Sequence, residues 1–199
     1  MAYSDFSSLK QIEKDLHIER QKVVLFEKLQ PVAPSEKLLF DMQEAKQMGL
    51  FSEKAKSEFL IVPILREIWR RNPQAMSIFS GFPLDIPQTN LTGYCDFILS
   101  KNADNLELTA PIFCIVEAKN RTLEEGFAQC AAEMYAALLF NEQNQTPQPF
   151  IYGSVSNGYE WIFLKLQNQM LFIDQERYAI QKLEDLLGVL QTIIDQFDN

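Results

Sequence analysis

The segment PIFCIVEAK, residues 111–119, constrains this chain more than any other. Its five consecutive apolar residues, Ile112 to Val116, leave no polar face for water. A run this short and this apolar reads as a strand covered on both sides, hence the centre of a sheet with helices on both faces. The run ends in Glu117-Ala118-Lys119. Side chains two apart in a strand emerge on one face, so Glu117 and Lys119 should stand side by side while Ala118 points away. The same letters occur at Glu44-Ala45-Lys46. There they lie in the helical stretch DMQEAKQM, where residues two apart diverge by about 200°. The tripeptide has meaning only at the end of a strand.

Periodicity supplies the surrounding elements. A helix is predicted over 5–16, with Phe6, Leu9, Ile12 and Leu16 on one side. Residues 17–30 are ambiguous, with VVLF at 23–26 readable as a strand, before Pro31 and Pro34 interrupt the chain. Ser35 is placed to cap a helix reaching about Met48 and ended by Gly49. Ser52 starts the next helix, which runs to about Asn72 with a kink expected at Pro63. Strands are predicted at 76–80, 84–86, 93–100 and 111–119, then a long helix over 122–143. A hairpin of 150–156 with 159–166 turns at Asn157-Gly158. A strand over 169–174 and a helix over 183–197 complete the order. The fold class expected is α/β, a mixed central sheet with helices on both faces. Residues 1–34 are set apart as an N-terminal extension, and 35–199 as one domain.

Composition excludes several functions. The chain has 199 residues, 47% of them apolar, with fifteen Phe and seven Gly, enough for a well-filled core. No apolar run reaches the roughly 18 to 20 residues that cross a bilayer. The N-terminus is polar, without a signal-peptide stretch, so a cytoplasmic location and no membrane partner are expected. Cys95, Cys114 and Cys130 are odd in number, lack metal-ligand spacing and sit in apolar segments, which reads as buried free thiols. His17 is the single histidine, so a His/Cys zinc site is not expected. No GxGxxG, Walker A or GxSxG motif is present.

Asp96 is out of place between Cys95 and Phe97 in an apolar strand, as are Glu117 and Lys119 at the end of another. Ionised groups in low dielectric cost several kcal/mol each unless compensated. A structural ion pair of Glu117 with Lys119 leaves Asp96 over. A divalent cation held by Asp96 and Glu117 accounts for all three, and Mg²⁺ suits one or two carboxylates plus waters. Lys119 would then orient a water and stabilise developing negative charge.

An Asp in one strand, Glu-x-Lys in the next, and helices before and after resemble the PD-(D/E)xK nuclease superfamily. GYCDFILS, FCIVEAKN and the helix containing GFAQCAAEMY are similar to the N-terminal nuclease domain of type I restriction enzyme R subunits. The likeness covers about residues 52–165. It departs from the superfamily at Cys95, where a Pro usually precedes the Asp. It implies a restriction-endonuclease-like αβββαβ core and a metal-dependent phosphodiester hydrolase acting on DNA or RNA. Asp96, Glu117 and the Ala118 carbonyl would bind Mg²⁺ or Mn²⁺, and Lys119 would position the attacking water. The likeness adds Glu58, from the preceding helix, at a second ion or metal-bound water. It also adds Gln129, early in the following helix, beside Lys119 or the substrate backbone.

Charge argues the other way. The net charge is −9, and residues 73–199 hold 6 Lys+Arg against 16 Asp+Glu, while residues 1–72 hold 12 against 11. An acidic protein does not steer itself onto nucleic acid. Binding to nucleic acid is therefore expected to be weak, so that activity needs low salt, a homodimer or a basic partner protein. The alternative is a catalytically silent scaffold or protein-binding module of the same fold.

Overall fold

The computed structural model describes residues 1–101 and 107–197. In chain order it contains α1 (Leu9–Leu16), β1 (Glu19–Val23), α2 (Glu36–Ala45), α3 (Glu53–Lys56), α4 (Val62–Arg71), β2 (Ser77–Pro83), β3 (Tyr94–Ser100) and β4 (Ile112–Ala118). There follow α5 (Phe127–Gln143), β5 (Phe150–Ser156), β6 (Glu160–Gln167), β7 (Met170–Asp174), β8 (Tyr178–Ala179) and α6 (Leu183–Asp195).

Every residue of β4 is buried, as its unbroken apolar run requires. It pairs antiparallel with β3 and parallel with β5. The sheet order is β1-β7-β6-β5-β4-β3-β2, with β8 paired to β6. On one face α1 and α5 pack over Ile98, Ile115, Ile151 and Leu164. On the other, α2, α4 and α6 cover Phe97, Val116 and Phe163. The mixed, doubly covered α/β sheet and the αβββαβ order are those expected from the sequence. All three cysteines are buried and free, as expected, and His17 is exposed. Among the described residues no helix is long and apolar enough to cross a membrane.

Several elements differ from the sequence expectation. The first strand is Glu19–Val23, not 23–26. It is almost wholly exposed and holds its place by parallel pairing with β7, which leaves no burial pattern to detect. No strand forms over 84–86, where Ile86 makes only an isolated bridge to Leu91. The helix from Ser52 is irregular before Pro63. Ser57–Ile61 is a π turn in which the Val62 N–H reaches back to the Ser57 carbonyl. Proline lacks an N–H and crowds the carbonyl four residues earlier, so the turn ahead of it widens instead of bending sharply. The long helix starts at Phe127 after a 3₁₀ turn over Leu123–Gly126. Residues 1–34 are built into the same body: Tyr3, Phe6, Ile12 and Ile18 belong to one core and Phe26 to the other.

Candidate active site

The site forms where β3 and β4 part. Their register pairs Ile98 with Ile115 and Phe97 with Val116. One further step along the pleat sets Asp96 across from Glu117, on the face that α5 covers. There Asp96 is half-buried, and its Oδ2 accepts the Ala118 N–H at 2.7 Å. On the other side the Lys119 N–H donates to the Ser156 carbonyl at 2.8 Å. The Glu117–Lys119 backbone is thus held from both edges.

Glu117 is 1% exposed. Its Oε1 accepts from the Lys119 ammonium, which also donates to Gln129 Oε1 at 3.0 Å. Gln129 Nε2 in turn donates to Glu133 Oε1 at 3.0 Å, and Glu133 is fully buried in α5. Gly126 lets the start of α5 come this close. A Cβ there would stand 2.6 Å from Val155 and 3.1 Å from Cγ of Lys119. The Oε2 atoms of Glu117 and Glu133 lack a hydrogen-bond donor among the described residues.

The electrostatics follow from burial. Burial pushes the Glu117 carboxyl up to about 8, with the Asp96 carboxylate adding to the shift and Lys119 opposing it. Burial and the Glu117 charge hold Glu133 well above the usual carboxylate range. For Lys119 burial acts downward, but the Glu117 carboxylate and its hydrogen bond outweigh it and raise the ammonium pKa. Burial lifts all three thiols as well, so none is a ready nucleophile.

No protein-family model matches the chain, and no curated protein matches it. Solved structures do match. The chain is similar to a chain of a DrdV–DNA complex determined by cryo-electron microscopy, with a TM-score of 0.45 and 11% identity. The match covers 81% of this chain and 14% of that one.

Of the residues singled out in the sequence, Asp96, Glu117, Ala118, Lys119 and Gln129 meet in one cluster. Glu58 does not join it by any contact among the described residues: it is exposed, and its carboxylate pairs with Lys54 at 2.7 Å. Glu58, which the resemblance alone had added, lies in the π turn, where the angular advance per residue changes. The acid of that helical region whose charge reaches Lys119 is Glu53, at the start of α3. Glu133 was missed, although a Glu between Ala132 and Met134 on a core stripe, one turn after Gln129, was a readable signal. Among the described residues no three His, Cys, Asp or Glu side chains are gathered to hold a metal ion. The available donors are two carboxylates and the Ala118 carbonyl. These hard oxygens suit Mg²⁺ or Mn²⁺ in a site completed by water, and the orphaned Glu117 Oε2 fits that use.

Proposed function

We propose that this chain is a metal-dependent phosphodiester hydrolase, a nuclease acting on DNA or RNA. The observation that carries the reading is the buried Glu117 carboxylate at the end of β4, with one oxygen lacking a donor, between Asp96 and Lys119. Asp96, Glu117 and the Ala118 carbonyl would hold Mg²⁺ or Mn²⁺. When bound, the ion supplies Lewis-acid polarisation of the phosphate and a more acidic water. Lys119 orients the attacking water and stabilises negative charge developing on the phosphate. Gln129 keeps the ammonium in place. Because the chain carries a net charge of −9, nucleic acid binds weakly unless salt is low or a basic partner supplies positive surface.

The second reading is a silent scaffold, favoured by the Lys119 ammonium already paired with Glu117. Cleavage of plasmid and oligonucleotide substrates at low salt with Mg²⁺ or Mn²⁺ separates the two. The nuclease reading expects activity that falls by about 10²- to 10⁴-fold in Lys119→Ala with the fold intact. It also expects the metal to raise the melting temperature, and Asp96→Asn to abolish that rise. An inactive wild-type protein with metal demonstrably bound would favour the scaffold.

A further inference from the structure

A carboxyl group fully buried in α5 is expensive, and an apolar side chain would fill the place at less cost. Ala131, Ala132 and Met134 around Glu133 are themselves fully buried, so the position belongs to the core and not to solvent. What Glu133 adds is polar. Its Oε1 is the acceptor for Gln129 Nε2 at 3.0 Å, and its carboxyl group lies near enough to Glu117 to feel that charge. Gln129 is half-buried and spans the gap, its Oε1 accepting from Lys119 at 3.0 Å.

We propose that Glu133 is a positioning residue for Lys119, acting through the Gln129 amide. An amide has one donor end and one acceptor end. With Nε2 taken by Glu133, the carbonyl end must face Lys119. The flipped amide would set NH₂ against NH₃⁺, two groups that only donate. The four side chains close a circuit: Lys119 donates to Glu117 and Gln129, Gln129 to Glu133, and Glu133 borders Glu117. Lys119 then has few orientations left, and its ammonium stays over the end of β4. The importance of this for cleavage rests on the nuclease reading, but the positioning itself does not.

Competitive trace acylation of lysines, followed by peptide mass spectrometry on the full chain, measures the positioning without any substrate. The exposed Lys10 serves as internal reference. Gln129→Ala and Glu133→Met, the latter close in volume to Glu, should each raise the relative labelling rate of Lys119 by about fivefold, as expected for one net hydrogen bond lost. The double variant should gain no more than either single one, because both changes break the same link. Glu133→Gln keeps an acceptor for Gln129 and should label like wild type. An unchanged Lys119 rate in Glu133→Met, or effects that multiply in the double variant, would overturn the proposal. If the wild type cleaves, kcat should fall in Glu133→Met with KM unchanged and recover in Glu133→Gln. If it cleaves nothing, the nuclease reading falls while the labelling result still decides this one.

Discussion

Two buried glutamates of this chain have pKa values shifted in opposite directions, and their partners explain why. Glu67 accepts from Ser35 Oγ at 2.7 Å and from Arg71 Nη2 at 2.7 Å. Burial pushes its pKa up, yet these bonds outweigh it and hold it below the usual range. Glu117 has one ammonium and one orphaned oxygen, so burial and Asp96 win, at about 8 against 4.5 for an unperturbed group. Between those two pH values the folded chain binds a proton at Glu117 that the unfolded chain releases. Unfolding stability therefore falls as pH rises through this window and levels off above it. Urea denaturation of the metal-free protein at pH 5 and pH 8 should show the loss, and Glu117→Gln, which cannot titrate, should reduce it, leaving the part that Glu133 contributes. An unchanged slope in the variant would place the titrating group elsewhere. Glu67 acts in the opposite sense: its contribution is present above 4.5 and is lost as pH falls through its lowered pKa. The sequence places Glu67 beside Arg66 and Glu117 at a strand end, but the sign of neither shift is legible there. Only the packed donors distinguish them.

At the scale of elements, pattern was informative wherever burial produced it. β4, the hairpin of β5 and β6, α5 and α6 all lie within a few residues of expectation, because their apolar positions face a core. β1 and the π turn were not legible. The first gains its place from pairing with β7, and the second from a proline acting on the turn ahead of it. The same neglect of partners affects Gly188 within α6. By propensity alone, Gly to Ala in a helix gains about 1 kcal/mol. Here a Cβ would stand 2.4 Å from the Gln30 carbonyl oxygen, a backbone atom with little freedom to yield. The segment is also tied to α6 by the Val32 N–H, which donates to the Glu184 carbonyl at 2.9 Å. Gly188→Ala should therefore destabilise the protein, by about 1 to 3 kcal/mol as overpacking does, measured from urea midpoints at constant slope. A gain in stability would mean that residues 29–32 move aside freely.

For the whole molecule, the first 34 residues are structural. Tyr3, Phe6, Ile12, Ile18 and Phe26 are all buried, and β1 covers the β7 edge. Burying one such side chain contributes roughly 1.5–3 kcal/mol, so five together rival the 5–15 kcal/mol by which domains are typically stable. Deleting residues 1–34 should abolish the cooperative thermal transition and the near-ultraviolet circular dichroism signal. A truncated chain melting cooperatively near the wild-type temperature would mark the segment as an appendage.

The sequence by itself determined the sheet, its two covered faces and the strand end that carries Glu117 and Lys119. These follow from local periodicity and from the cost of leaving apolar surface in water. It also marked Asp96, because a lone acid in an apolar strand is conspicuous. Tertiary structure alone decided that Glu133 closes the cluster, that Glu58 points elsewhere and that the N-terminal segment completes both cores. Each of these depends on which groups from distant parts of the chain meet. A contact between α5 and β4, or between α6 and residues 29–32, leaves no period in the sequence of either partner.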